Sequence, residues 1–205
     1  MGTKKIYLVR HGQTDYNKAG IVQGGTIDSS LNDLGKAQAA AFWNAFKAIP
    51  FQKIYTSSLK RSIESVQNFI DSGIKWEKSS GLNEISWGKY DGKKITENDY
   101  YWQVVNEWNQ GNVSLRIDGG ESPEDVKDRQ APVLKKIEES EEELILICMH
   151  GRAMRILCAH FIDEDLKKMD DYQHKNLGIY ILEMKNGKIS VLERNITEHL
   201  ENILS

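Results

Sequence analysis

Apolar positions along the 205-residue chain fall into two patterns. Short unbroken runs, Lys5-Ile6-Tyr7-Leu8-Val9-Arg10 and Leu144-Ile145-Leu146-Ile147-Cys148-Met149, have the length and branched composition of buried strands, and each stops at a His-Gly pair. Elsewhere apolar residues recur at helical spacing. Leu34, Ala37, Ala41, Phe42, Ala45 and Phe46 form one such face, opened by Asn32 as a cap and closed by Pro50. Lys53-Ile54-Tyr55 reads as a further strand, with Thr56-Ser57-Ser58 expected to cap a helix reaching about Ile70. A short strand is expected from Ile74 to Trp76 and an aromatic helix from Thr96 to Asn109. Ser122-Pro123-Glu124 opens a helix ending near Glu139, and another is expected from Ala153 to Phe161. Gly178 to Met184 and Lys188 to Arg194 read as a hairpin around Asn186-Gly187. Gln13 to Ser30 and Leu82 to Gly92 read as loops.

Strands alternating with helices predict an α/β layer fold. Unbroken apolar strands predict a mostly parallel central sheet flanked by helices on both faces, a three-layer sandwich. No repeat, low-complexity tract or linker divides the chain, so residues 1–205 read as one domain with a short helical insertion at about 93–120. Hydrophobic residues make up 40%, enough for a sizeable core, and a net charge of -3 speaks against a nucleic-acid-binding domain. An anionic ligand therefore needs a local cluster of cations. Cys148 and Cys158 sit in apolar surroundings without a C-x-x-C pair, which predicts buried, reduced thiols. No apolar stretch has the length of a signal peptide or a membrane span, so no membrane partner and a cytoplasmic location are expected. Both a monomer and a homodimer stay open.

The chemistry is expected at the carboxyl ends of the strands, where open α/β sheets hold their ligands. If the two His-Gly strands are parallel neighbours, His11 and His150 face each other there, with Arg10 beside them. Arg61, early in the helix after the Lys53 strand, reaches the same edge. A single histidine ending a strand is more often structural, and Arg61 or Glu84 alone says little; the joint pattern carries the argument. Two imidazoles and two guanidiniums suit a phosphoryl group: one neutral imidazole attacks phosphorus while the other donors neutralise its oxygens. Glu84, between Asn83 and the apolar Ile85 and Trp87, is the candidate general acid for a leaving alkoxide. The histidines His11, His150, His160, His174 and His199 lack the short spacings of zinc ligands.

Tyr7 to Thr14 with Asn17 resembles the defining motif of the histidine phosphatase superfamily, which includes cofactor-dependent phosphoglycerate mutases and small-molecule phosphatases. Leu31…Gly35…Gln38-Ala39, Thr56 to Ser62, Leu82-Asn83-Glu84 with Gly88 and Gly92, Gly119 to Ser122, Met149-His150-Gly151 and Asn195 with His199-Leu200 resemble further motifs in the same order, over nearly the whole chain. The resemblance implies a phosphoglycerate mutase-like fold, His11 as nucleophile and phosphohistidine, and Glu84 as proton donor. It implies that Arg10, Arg61 and His150 bind the phosphoryl group with help from Asn17, and that Gln23, Gly24 and Gly151 line the substrate. It implies neither a metal nor an organic cofactor. Met149 departs from the usual Ser or Thr, and Tyr90-Asp91 from the usual Trp-Glu. The mutases carry a longer insertion with adjacent basic residues. Here Gly92 to Gly119 is short and aromatic, contains Glu97, Asp99 and Glu107, and has Lys93, Lys94 and Arg116 as its only cations. A phosphomonoesterase acting on a small phosphorylated metabolite is the favoured expectation. The alternatives are a cofactor-dependent phosphoglycerate mutase and a catalytically weak phosphate-binding protein.

Overall fold

The computed structural model describes residues 2–96 and 99–204. In chain order the elements are β1 (Lys4–Arg10), α1 (Asp15–Ala19), α2 (Asp33–Phe46), β2 (Lys53–Ser57), α3 (Lys60–Ser65), α4 (Gln67–Asp71) and β3 (Lys75–Ser79). They continue with α5 (Tyr100–Gln110), α6 (Pro123–Glu139), β4 (Leu144–Met149), α7 (Gly151–Asp163), β5 (Ile179–Lys185), β6 (Lys188–Ile196) and α8 (Glu201–Leu204). The six strands form one sheet in the order β3-β2-β4-β1-β5-β6. β3, β2, β4 and β1 run parallel, and the β5–β6 hairpin closes the β1 edge antiparallel.

The period of two along the central strands sorts side chains into two layers. Ile6 and Leu8 of β1 and Ile145, Ile147 and Met149 of β4 enter a core shared with α5, α6 and α7. Tyr7 and Val9, with Leu146 and Cys148, enter the opposite core, built with Phe42 of α2 and Phe69 of α4. The result is the expected three-layer α/β sandwich with a mostly parallel sheet. Both cysteines are buried and unpaired. Among the described residues no helix is long and apolar enough to cross a membrane.

Four local expectations change. Thr56 and Ser57 extend β2 and do not cap a helix; α3 starts later, after Leu59, which has no side-chain cap. The helix expected to reach Ile70 breaks at Val66, dividing α3 from α4. The break follows Ser65, whose hydroxyl donates back to the Arg61 carbonyl at 2.6 Å, a bond that bends helices. The loop from Gln13 to Ser30 contains α1, which is held by a reciprocal box: Thr14 Oγ1 accepts from Asn17 N–H, and Asn17 Oδ1 accepts from Thr14 N–H. The aromatic helix begins at Tyr100 rather than Thr96; the Asp99 carboxylate accepts from the Thr96 N–H and hydroxyl just ahead of it. Glu97 lies outside the described residues. One face of α5 is core (Val104, Val105, Trp108), whereas Tyr100 and Trp102 are exposed.

Candidate active site

β1 and β4 pair in register, Arg10 opposite Met149, so both His-Gly pairs emerge side by side. The His11 N–H donates to the Met149 carbonyl at 3.0 Å, which continues the ladder one residue past the strand. The two imidazole centroids stand 5.1 Å apart. Met149 itself turns away from the site into the core, so this position offers no side-chain hydroxyl here. The loop after β1 lies hard against the start of α2: a Cβ on Gly12 would stand 2.8 Å from the Gly35 carbonyl oxygen.

His11 is set in one tautomer. Its Nδ1 lies 2.7 Å from the Gly12 carbonyl oxygen. A carbonyl only accepts, so the proton sits on Nδ1 and Nε2 keeps its lone pair. Burial, and then the cations Arg61 and Arg10, hold the ring well below the usual value of 6.5. It is therefore neutral at neutral pH, the form that a nucleophile needs.

His150 and Arg61 are both fully buried at this edge. Arg61 Nε donates to His150 Nδ1 at 3.2 Å. That fixes the other tautomer in His150, whose Nε2–H reaches Ser57 Oγ at 2.7 Å. Ser57 Oγ bonds Ser62 Oγ, whose hydroxyl donates to the Leu59 carbonyl. The end of β2 thus braces the second histidine, a role that the cap reading of Ser57 missed. Arg61 also donates to the Ile27 and Gly24 carbonyls. Burial lowers it to about 10, against the pull of Glu84, and it remains a cation at neutral pH.

Glu84 caps α7 from outside the helix. His150 occupies the cap position but makes no side-chain cap bond. The carboxylate of Glu84 instead accepts the orphan N–H groups of Arg152 at 3.0 Å and Ala153 at 2.8 Å, as well as that of Ile85 at 2.9 Å. Arg129 of α6 donates to the Glu84 carbonyl and is ion-paired with Glu121, whose carboxylate also takes the Ser86 N–H. The Gly119–Ser122 motif therefore serves to hold the loop that carries Glu84.

A cleft of about 230 Å³ opens over this edge. It is lined by Arg10, His11, Asn17, Gln23, Glu84 and Gly151 among the residues expected from the sequence. Arg61, His150 and Gly24 do not reach its wall. Asn17 Oδ1 accepts from Thr14 and Asn176, leaving its amide N–H groups as its donors toward the cleft. Gln23 is tied at both ends, to Thr14 and Ser29. Arg10 Nε is buried with no hydrogen-bond partner, and an orphaned donor of that kind calls for an anion. Gly151 leaves the middle open: a Cβ there would stand 3.6 Å from each of Arg10 Nε, Glu84 Oε2 and His174 Nε2. Among the described residues, no three His, Cys, Asp or Glu side chains group as metal ligands.

The aromatic segment 100–108, which the sequence leaves open between substrate wall and core, brings Tyr101 to the cleft wall, while Trp87, Arg152, Arg155, His174 and Asn176 were given no place there from the sequence. Asn176 Nδ2 donates to the His11 carbonyl at 2.9 Å and to Asn17 Oδ1 at 3.2 Å. Arg152 and Arg155 carried a signal, since they follow His150 at a spacing that puts them on one helical face. His174 and Asn176 sit in an irregular segment before β5 and carried none.

The sequence model of the histidine phosphatase superfamily (branch 1) matches residues 6–197. The chain belongs to this superfamily. Among its relatives, phosphoserine phosphatase 1 of Hydrogenobacter thermophilus is 25% identical over 96% of this chain and 94% of that protein. The 6-phosphofructo-2-kinase/fructose-2,6-bisphosphatase 1 of Rattus norvegicus is 33% identical over 78% of this chain; the match spans only 33% of that longer protein. The solved structure of Bacillus stearothermophilus YhfR superposes with a TM-score of 0.83 at 27% identity, covering 97% of this chain and 100% of that one. The mostly parallel six-stranded sheet with helices on both faces is the architecture of these histidine phosphatase neighbours.

Keeping buried histidines neutral has a consequence for stability. Burial, then Arg10 and Arg155, lowers His174 to about 3, while the unfolded ring titrates at 6.5. Below that value the unfolded chain binds a proton that the folded chain refuses, so stability falls as pH falls. At about pH 5 the cost from His174 is about 2 kcal/mol, with His11 and His150 acting in the same direction. Urea unfolding of wild type and His174→Gln at about pH 7.5 and pH 5 checks this. The variant should lose less stability between the two pH values, and an identical loss contradicts the assignment.

Proposed function

We propose that the chain is a phosphomonoesterase that hydrolyses a small phosphorylated metabolite through a phosphohistidine on His11. The observation that carries this reading is the fixed tautomer of His11: Nδ1 is held by the Gly12 carbonyl, which leaves the Nε2 lone pair free in a cleft also lined by Arg10 with its unpartnered Nε–H. His11 Nε2 attacks phosphorus, and the P–O bond to the alcohol breaks. Arg10 and the amide of Asn17 take the charge on the phosphoryl oxygens. Arg61 and His150 join them by exchanging their present partners, Ile27 and Ser57. Glu84, entering the step in its protonated form, gives that proton to the departing alkoxide. It then takes a proton from the water that attacks the phosphohistidine, which releases inorganic phosphate and restores neutral His11.

Hydrolysis is favoured over mutase chemistry by the insertion, which brings no cation to the cleft. Lys93, Lys94 and Arg116 of the insertion are absent from its lining, and Arg116 is paired with Asp125. The nearly full-length match to a phosphoserine phosphatase points the same way. A cleft of about 230 Å³ suits a small ester.

The direct test is para-nitrophenyl phosphate hydrolysis in the presence of EDTA. Wild type should turn over and His11→Ala should not; activity surviving in His11→Ala rules the reading out. Nitrophenolate leaves without help but the second step still needs a base. Glu84→Gln should therefore release a burst of about one equivalent and then stall, with steady turnover down about 10²- to 10⁴-fold. Unchanged steady turnover removes Glu84 from the mechanism. The pH dependence is a separate check. Because His11 is held well below 6.5, its lone pair persists in mild acid, and the acid limb of kcat/KM belonging to His11 should lie well below that pH. A limb at the ordinary histidine value contradicts the placement.

A further inference from the structure

The mechanism leaves unused a pair of cations on the wall of the same cleft. Arg152 and Arg155 project from the first turns of α7, three residues apart and so on one face. Both guanidiniums converge on a single oxygen, Asp170 Oδ1, at 2.6 and 2.7 Å. Among the described residues Asp170 is the only acid paired with either, so two cations share one carboxylate. The pair is held in place: Arg152 lies over the Trp87 and Trp108 rings, 5.8 and 5.9 Å from their centroids, and Arg155 donates to Gln173 Oε1 at 3.0 Å. Both line the cleft together with Arg10 and His174, and Gly151 leaves the space between them open.

The location relative to Glu84 is the second observation. Its carboxylate is bonded to the backbone N–H groups of Arg152 and Ala153. The leaving-group oxygen, which Glu84 must reach, therefore lies within about one helical turn of the anchor of Arg155. A group carried a few bonds from that oxygen meets the arginine pair. Guanidinium forks match planar carboxylates and phosphates, and a pair short of one counter-charge favours an anion.

We infer that Arg152 and Arg155 form a second anion subsite that selects phosphomonoesters whose leaving alcohol bears a further carboxylate or phosphate. The inference rests on the phosphatase reading of the cleft. Arg152 and Arg155 are specificity residues in this reading, which assigns the reacting phosphoryl group to Arg10, His11 and Asn17 and the second anion to the arginine pair.

The test compares kcat/KM for phosphoserine, a sugar bisphosphate and glycerol phosphate, in wild type and in Arg155→Gln and Arg152→Gln. Wild type should prefer at least one of the doubly anionic esters over glycerol phosphate. Each variant should cut that preference about 10- to 100-fold, chiefly through KM. The ester whose advantage collapses tells whether the subsite takes a carboxylate or a phosphate. An unchanged preference, or equal losses on all three esters, overturns the subsite. If wild type hydrolyses none of the esters, the phosphatase reading fails by itself. The subsite is then judged by calorimetric titration of His11→Ala, with and without Arg155→Gln, with the same three compounds. A loss of the affinity difference between the doubly anionic compounds and glycerol phosphate upholds it, and no difference to lose overturns it.

Discussion

Two parallel strands that pair in register must end at the same edge, and the whole site depends on that constraint. Pairing of β1 with β4 sets Arg10 opposite Met149 and brings the two histidines out as neighbours, although 139 positions separate them in the chain (150 less 11). The same pairing gives the His11 N–H its acceptor and directs the chain at Gly151 straight into α7. A slip of one residue would send Ile6 and Leu8 to the wrong layer. The apolar alternation that builds the two cores thus also fixes the alignment of the reacting groups.

Electrostatics explains the rest of the arrangement. Arg10 and Arg61 are gathered at one edge, and the histidines among them are kept uncharged by burial and by those same cations. Each ring is then held in a single tautomer by a partner that can act in only one sense, the Gly12 carbonyl for His11 and the Arg61 Nε–H for His150. Glu84 is fixed by three backbone N–H groups, two of them from the helix that starts beside His150. The acid is therefore positioned by the same strand–helix junction that positions the second histidine. The α7 N-terminus connects the chemistry to the arginine pair beyond it.

What the sequence reveals follows from what its patterns encode. The central strands and the α2, α6 and α7 helices were legible because burial on both faces leaves unbroken apolar runs and helical stripes at Leu144–Met149 and Leu34–Phe46. Ser57 was misread because Ser at the end of a strand and Ser at a helix cap look alike; only the fold shows its hydroxyl beneath His150. The break at Val66 depends on a hydroxyl bonded to its own helix, and α1 on a capping box inside a segment that is polar throughout. Arg10, His11 and His150 stood out because they end apolar strands at glycine turns, whereas Glu84 gained weight only from the joint pattern. Arg61 and His150, expected at the ligand, are fully buried at the same edge and engaged with backbone carbonyls and Ser57, partners that no sequence pattern announces. His174 and Asn176 come to the cleft through an irregular segment, for which no periodicity exists to be read.

The claim on which all this turns is that His11 Nε2 accepts the phosphoryl group. Rapid mixing of wild type with para-nitrophenyl phosphate, an alkaline quench that preserves acid-labile phosphohistidine, and peptide mass spectrometry test it directly. Wild type should carry a phosphoryl adduct on the peptide containing His11, located on that ring, which accumulates further in Glu84→Gln and is absent from His11→Ala. Turnover without any adduct on His11 in either protein, or an adduct placed on another residue, would contradict it.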